Sequence, residues 1–234
     1  YTRIKIMGVD THTECPLDEI GEICVSNPGV FKGNTYTEAE KNRNLFYAGD
    51  DHDAQYLRTG DLGRVDADGY VWITGRAKDL IIRGGHNIDP AEIEEALAGH
   101  EAVAFAGAIG QPDAHAGELP CVYVELVAGS KVTEAELMEF ANAKINERAA
   151  HPKYLEIMPE LPKTAVGKIF KPDLRKAAIT RVFDAALADA GVAAQVSKVT
   201  EDKKRGLVAT IKSDDASADD VSAVLSRFTT AWEM

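Results

Sequence analysis

The sequence contains few cysteines, and their number and spacing limit the chemistry they can perform. Cys15, Cys24 and Cys121 are the three cysteines in 234 residues, and no two of them form a CxxC pair. An odd set of widely spaced thiols indicates a reduced protein rather than a disulfide framework. A catalytic cysteine would need a nearby base that the sequence does not offer, so we interpret all three as inert, buried thiols of a cytoplasmic protein.

Long apolar runs are also missing. No stretch approaches the roughly 18 consecutive apolar residues of a membrane span, so the sequence predicts no transmembrane segment. The N-terminal residues Tyr1-Thr2-Arg3-Ile4-Lys5-Ile6 carry neither an initiator methionine nor a signal-peptide pattern. They resemble a strand entered midway, and we expect the chain to be a fragment of a longer protein.

Basic residues are in the minority. The 26 lysines and arginines stand against 38 aspartates and glutamates, which gives a formal net charge of −12. A field of this sign repels phosphates at long range and argues against a general binder of nucleic acid or of anionic membranes. Any anionic ligand would have to be held by a local group of lysines, arginines and backbone N–H groups. The composition does not indicate an oligomeric state.

What is present is the composition of an ordinary globular protein, with 45% apolar and 27% charged residues. The length permits one or two domains of roughly 100–200 residues each. The pattern predicts an α+β fold in three parts. Residues 1–77 are strand-rich, residues 78–176 follow the order β-α-β-β-α-β, and residues 177–234 are predicted as a helix, two strands and a last helix.

Local signals for helix starts and turns support this division. Asp89-Pro90-Ala91-Glu92 offers an N-cap aspartate followed by proline at the first helical position, and Thr133-Glu134-Ala135-Glu136 is a capping box. Asp68-Gly69 is a dipeptide that tight hairpin turns prefer. The polar stretch from Glu38 to Asp53 is predicted to hold one short helix and a loop.

Three stretches are candidates for chemistry, and the first is Tyr56-Leu57-Arg58-Thr59-Gly60-Asp61. Taken alone, it is a Gly-Asp turn with a solvated carboxylate just before a strand. The functional interpretation is that Asp61 accepts hydrogen bonds from a vicinal diol such as a ribose, because both carboxylate oxygens are acceptors.

The second stretch runs from Gly75 to Pro90 and gathers four cations, counting the titratable histidine: Arg76, Lys78, Arg83 and His86. A solvated basic face would explain a charge cluster of this kind. The paired glycines Gly84-Gly85 suggest more, because two consecutive residues without Cβ permit unusual backbone angles and a close approach by a ligand. A simple bulge or turn remains the alternative.

The third stretch, Pro162-Lys163-Thr164-Ala165-Val166-Gly167-Lys168-Ile169, is predicted to be a mobile loop. It is not a phosphate-binding GxxxxGK[ST] loop, because the earlier glycine is missing and Ile169 occupies the place of the serine or threonine. By itself Lys168 would be interpreted as a surface lysine.

Taken jointly, the three stretches resemble the last motifs of the adenylate-forming superfamily, which includes acyl- and aryl-CoA synthetases, peptide-synthetase adenylation domains and luciferases. The patterns matched, in order, are YRTGD (here with Leu57 inserted after the tyrosine), GRxKDxIxxGGxxIxPxEIE and PKTxxGKI. The resemblance covers residues 21–176, and the chain looks most like bacterial fatty-acyl-CoA synthetases with an extended tail.

The resemblance implies an AMP-forming acid–thiol ligase that uses a small-molecule carboxylic acid, ATP with Mg²⁺, and CoA. It implies that residues 1–77 end a large adenylating domain and that residues 78–176 form a small mobile domain. It further implies a role for each matched residue. Asp61 and Arg76 would bind the nucleotide, Lys78 would be the hinge, Gly84 and Gly85 would line the CoA channel, and Lys168 would be the catalytic lysine of adenylation.

The sequence departs from the family pattern in three places. Asn27 stands where a glycine is common, residues 45–55 form a longer and more acidic stretch than usual, and residues 177–234 lie outside the pattern. No strong metal-ligand set is found.

Two alternatives stay open, namely a non-catalytic α+β binding module and an adenylating enzyme that delivers acyl groups to a carrier-protein thiol. In each case we expect the fragment alone to be inactive.

Overall fold

The computed structural model describes residues 2–29, 35–48 and 55–234, and its contacts divide the chain into two compact units, Tyr1–Asp79 and Leu80–Met234. Mixed sheets and five helices in the described residues give the α+β class that the sequence predicts. The boundary between the units lies two residues beyond the predicted one between residues 77 and 78. The division into three domains stays a prediction. None of the described helices is both long enough and apolar enough to cross a membrane.

The first unit is an antiparallel sheet with the strand order β1-β2-β4-β3, and β5 pairs with β4. Its β4–β5 hairpin turns at the predicted Asp68-Gly69, where the Gly69 N–H donates to the Asp66 carbonyl at 3.0 Å. The predicted short helix is present, whereas residues 49–53 of the predicted loop lie outside the described residues. The elements are β1 Arg3–Met7, β2 Gly21–Ser26, α1 Ala39–Asn42, β3 Phe46–Ala48, β4 Gln55–Val65 and β5 Val71–Arg76.

The second unit begins with the predicted β-α-β-β-α-β order, in which a hairpin occupies the place of the first strand. The sheet has the order β10-β9-β6-β7 with β8 on β9, and only the β9–β10 pair is parallel. The elements are β6 Ile81–Arg83, β7 His86–Ile88, α2 Pro90–Ala98, β8 Val103–Asp113, β9 Gly117–Leu126, α3 Glu134–Lys144 and β10 Tyr154–Met158.

Both predicted helix starts are confirmed. The Asp89 carboxylate accepts a hydrogen bond from the Ala91 N–H at 2.9 Å, and Thr133 forms a reciprocal capping box with Glu136. Each cap satisfies N–H groups that have no partner inside the helix. The helices then bury Ile93, Leu97, Leu137 and Ala141 against strand residues such as Ile81, Val122 and Val124.

A single long helix, α4 Lys171–Asp189, joins this domain to the residues that follow it. Its first half buries Leu174 and Ala178 among residues of β8 and β9, and its second half buries Ile179, Phe183 and Leu187 in a separate cluster. The predicted boundary between residues 176 and 177 therefore lies inside one helix. We call residues 177–234 the tail.

The tail forms a three-stranded sheet with the order β11-β12-β13. The predicted helix-hairpin-helix pattern is present, but the structure adds a third strand that pairs parallel with β12. Three residues are too few to show an alternating pattern, which is why the sequence did not indicate this strand. The elements are β11 Gln195–Asp202, β12 Gly206–Lys212, α5 Ala218–Leu225 and β13 Ala231–Glu233.

Replacing Phe183 by alanine is expected to destabilise the tail by about 3–5 kcal/mol, because a fully buried aromatic ring leaves a cavity. The ring is inaccessible to solvent, and its centroid lies 5.2 Å from that of Phe228. Trp232 packs against the same cluster, so its fluorescence in urea reports the loss. The measurement uses a Trp72→Phe background, since Trp72 is the other tryptophan. Exposed Asp189→Ala should shift stability by less than about 0.5 kcal/mol, and an unchanged Phe183→Ala transition would contradict the assignment of this core.

Candidate functional site

Asp61 lies in a kinked part of a strand. Residues 59–61 belong to the eleven-residue β4, so the predicted turn before a strand is wrong. The pairing of β2 with β4 shifts register between Glu22 and Cys24, and Gly60 has a φ of +75°. The Asp61 N–H donates a hydrogen bond to the Thr59 hydroxyl at 3.1 Å, and that hydroxyl donates to the Ile23 carbonyl at 2.7 Å. A β-bulge of this kind re-aims the side chain that follows it.

The structure brings two of the predicted nucleotide-binding residues together. Asp61 and Arg76 are register partners on β4 and β5, and Arg76 Nε lies 3.0 Å from Asp61 Oδ1. Their side chains are 41% and 51% exposed. A carboxylate offers about four lone-pair sites on its two oxygens, so one ion pair leaves capacity for further donors. The pair can therefore present an acceptor and a cation side by side on an accessible surface.

Glu22 supports this bulge from beneath, and sequence reasoning missed that role. It is 2% exposed and is the one buried charged residue among those described. Its Oε1 accepts the Gly60 N–H at 3.1 Å, while Oε2 accepts Arg58 Nε at 2.8 Å and lies 2.7 Å from Arg58 Nη2. A charged group in an otherwise apolar strand was the available signal, because buried carboxylates need partners.

Lys78 lies in a 3-10 turn, Ala77–Asp79, which ends the first unit. The boundary between the two units follows Asp79 directly. The hinge role of Lys78 stays a prediction, and the structure contributes the position of this boundary.

Gly84 and Gly85 form the two-residue turn between β6 and β7. Their φ angles are +54° and +89°, which match a type I′ hairpin turn, the type that needs positive φ at both positions. The Gly84 N–H donates to the Ala116 carbonyl at 2.8 Å. A Cβ built on either residue would meet no atom within 4 Å. The turn alone therefore accounts for both glycines, and the space beside them is open.

The four cations of the second stretch are divided between the two units. Arg76 and Lys78 belong to the first unit, whereas Arg83 and His86 belong to the second. Arg83 Nη1 donates to the Ala149 carbonyl at 2.6 Å, and His86 Nδ1 lies 3.5 Å from Glu147 Oε1. The last two cations thus contribute to the packing of their own domain.

The segment around Lys168 is a loop closed into a hairpin, and its mobility stays a prediction. Lys163 and Ile169 form a bridge, and the Thr164 N–H donates to the Lys168 carbonyl at 2.7 Å. The three-residue loop ends at Gly167 with a φ of +79°, a conformation typical of three-residue hairpin loops. We call residues 163–169 the lysine hairpin.

Only the lysine in the middle of this region points to solvent. Lys163 Nζ lies 2.7 Å from Glu125, and Lys171 Nζ lies 2.8 Å from Glu94. Lys168 is exposed, and within the described residues its ammonium makes no hydrogen bond or ion pair. The hairpin therefore presents one uncommitted cation between two that are held by carboxylates.

Comparisons with known proteins agree with the motifs. The family model described as the AMP-binding enzyme C-terminal domain matches residues 92–168. The marinolic acid–CoA ligase of Pseudoalteromonas sp. (strain SANK 73390) is 44% identical over 179 residues, which are 75% of this chain and 26% of that ligase. ATP-bound MatB from Rhodopseudomonas palustris has a TM-score of 0.66 at 34% identity, covering 74% of this chain and 33% of MatB. This chain belongs to the adenylate-forming superfamily.

A long-chain-fatty-acid–CoA ligase of Bacillus subtilis (strain 168) is a further relative in the superfamily, 41% identical over 153 residues, which are 65% of this chain and 26% of that ligase. The chain spans only about a quarter to a third of the relatives it matches. The family model includes Lys168 and ends there, so the tail lies outside it.

In the part of the chain that the structure describes, neither the cysteines nor the metal-ligating side chains form a second reactive site. Burial raises the pKa of Cys24 and of Cys121 to about 12, and it also raises that of Cys15. All three are free thiols, and two are buried. A protonated thiol is a poor nucleophile. Among residues 2–29, 35–48 and 55–234, no group of three histidine, cysteine, aspartate or glutamate side chains is arranged to hold a metal ion.

Proposed function

We propose that this chain is the C-terminal part of an AMP-forming acyl-CoA synthetase, which converts a carboxylic acid, ATP and CoA into acyl-CoA, AMP and pyrophosphate. The exposed, uncommitted ammonium of Lys168 is the observation that carries the proposal, because it lies between two lysines that are both ion-paired. The names of the curated relatives as CoA ligases support the choice of reaction.

In the first half-reaction the substrate carboxylate attacks the α-phosphorus of ATP, forms the acyl-adenylate and releases pyrophosphate. An anion here approaches a polyanion, so neutralising the gathered negative charge is the main requirement. The Lys168 ammonium is a compact point charge on a flexible stem, and it would contact both the carboxylate and the α-phosphate. Mg²⁺ would accompany the phosphates of ATP.

The nucleotide would lie against Asp61 and Arg76. Asp61 would accept hydrogen bonds from the ribose hydroxyls, with its carboxylate oriented by Arg76 at 3.0 Å. Hydrogen bonds to an ionised acceptor are stronger than those between neutral groups, which makes a carboxylate suitable for a vicinal diol. Glu22 and Arg58 would support this contact from within the sheet by fixing the bulge that carries Asp61.

In the second half-reaction the CoA thiol attacks the acyl-adenylate carbonyl, and AMP leaves. Lys168 has no part in this step. A rotation near Lys78 would withdraw the lysine hairpin and bring the Gly84-Gly85 turn to the site, where a pantetheine arm can pass a surface without side chains. The boundary of the two units after Asp79 supports a pivot at this point in the chain.

The test is ATP–pyrophosphate exchange by the full-length protein over a panel of carboxylic acids of different chain lengths. We expect exchange with at least one acid, and thioester formation once CoA is added. The 234-residue chain alone should show negligible exchange, since it covers about a quarter of its relatives. A full-length protein without exchange on any acid would support the binding module, whereas exchange followed by transfer only to a carrier-protein thiol would support the other acceptor.

A further inference from the structure

We propose that Glu94 and Glu125 are positioning residues that hold the lysine hairpin at both ends, so that Lys168 enters the adenylation site in one defined geometry. The inference rests on the proposed function, in which Lys168 acts in the first half-reaction only. Neither glutamate is placed in contact with a substrate. Each acts through the backbone that carries Lys168.

Glu125 holds the segment that enters the hairpin. Its Oε2 accepts the Leu161 N–H at 2.8 Å and lies 2.7 Å from Lys163 Nζ. The ammonium of Lys163 also lies 4.3 Å from the centroid of the Phe105 ring, so it contacts both a carboxylate and an aromatic face. The hydrogen bond from Lys163 keeps the pKa of Glu125 below its usual range, which favours the ionised form of this carboxylate.

Glu94 holds the segment that leaves the hairpin. Its Oε1 accepts the Ala108 N–H of β8 at 2.8 Å and lies 2.8 Å from Nζ of Lys171, the first residue of α4. Both ion pairs thus have the same design. In each, one glutamate binds a backbone N–H and also a lysine, which is the first residue of the hairpin in one pair and lies two residues beyond its end in the other.

Close packing fixes the base of the hairpin between these two pairs. Gly107 on β8 faces Ile169 and Leu174, and a Cβ at this position would lie 2.7 Å from Leu174 Cδ1 and 3.0 Å from Ile169 Cγ2. The tip is open by contrast, with Val166 80% exposed. The structure therefore combines a rigid base with an accessible tip, which is what a charge delivered to another surface requires.

The two ion pairs are only partly buried, and a substitution that keeps the shape of the side chain can separate their role from folding. The four charged side chains are 16–25% exposed. Glutamine in place of either glutamate keeps a carbonyl oxygen for the backbone N–H and removes the charge that holds the lysine. The substitution therefore loosens the hairpin with little change in the packing of the domain.

The experiment compares Glu94→Gln, Glu125→Gln and the double variant in the full-length protein. We expect the double variant to lose about 10²-fold in ATP–pyrophosphate exchange, because displacement of a catalytic group by about 1 Å costs that much. Thioester formation from supplied acyl-adenylate should stay at the wild-type rate. Glu134→Gln is the matched control, since Glu134 accepts the Ile157 N–H at 3.0 Å in the same domain without holding the lysine hairpin.

A Lys168→Ala background gives the second readout. If the glutamates act through Lys168, adding both Gln substitutions to Lys168→Ala should cause no further loss of exchange, because residues that act as a unit are not additive. Equal losses in both half-reactions, or additive losses in that background, would overturn the positioning role. A Lys168→Ala variant with normal exchange would instead overturn the proposed function, so the two failures are distinguishable.

Discussion

Replacing Lys168 by alanine in the full-length protein is expected to lower acyl-adenylate formation by about 10²–10³-fold, the usual loss when one electrostatic contact to a transition state is removed. Thioester formation from supplied acyl-adenylate should be unchanged, because the ammonium is needed only where the carboxylate meets the α-phosphate. The two rates are measured separately, by ATP–pyrophosphate exchange and by CoA-dependent release of AMP from the synthetic adenylate.

Lys198→Ala controls for the effect of removing one lysine charge at a position outside the proposed site. Lys198 is an exposed residue of β11 in the tail, and its removal changes the net charge of the protein by the same amount. It should leave both half-reactions at the wild-type rate. The assignment of Lys168 is wrong if Lys168→Ala slows the two half-reactions equally.

Replacing Gly85 by tryptophan is expected to produce the opposite pattern, with thioester formation lowered by about 10²-fold, as for a misplaced reactant, and adenylate formation retained. A Cβ built on Gly85 would meet no atom within 4 Å, so we expect the indole to extend from the turn into the path of the pantetheine arm. The measurement is the same pair of assays at saturating CoA.

Gly129→Trp is the matched control for backbone strain. Gly129 has a φ of +87°, close to the +89° of Gly85, and it is likewise an exposed turn glycine with no atom within 4 Å of a built Cβ. Both tryptophans therefore carry a similar cost from positive φ, and a large difference between the two variants reports the surroundings of Gly85. A wild-type thioester rate in Gly85→Trp would show that the CoA channel lies elsewhere.

The sequence predicted those parts of the fold that depend on neighbouring residues. The helix starts at Asp89 and Thr133 and the hairpin at Gly69 follow from local hydrogen bonds and backbone angles, and the structure has all three. The family motifs likewise placed Asp61 and Arg76 among the candidates, and the structure makes them partners.

The features that the sequence could not predict depend on contacts between distant residues. The Glu22 support beneath Gly60 joins residues 38 positions apart, and the Glu125–Lys163 pair also joins residues 38 apart. No periodic pattern or turn dipeptide records a contact of this kind. The sequence predicted the lysine hairpin only as a loop, because the Glu125–Lys163 and Glu94–Lys171 ion pairs on either side of it join distant residues.

The shared helix α4 has a consequence for how the domain and the tail can be separated. Ending the chain after Lys176, at the predicted domain boundary, would leave six of the nineteen residues of α4, of which only Leu174 is buried, and a helix of this length is not stable by itself. Lys171, which ties the exit of the lysine hairpin to Glu94, lies in that remnant. Residues of the tail therefore complete the helix that begins at Lys171, so a truncation at that boundary would interrupt α4 rather than remove a separate unit.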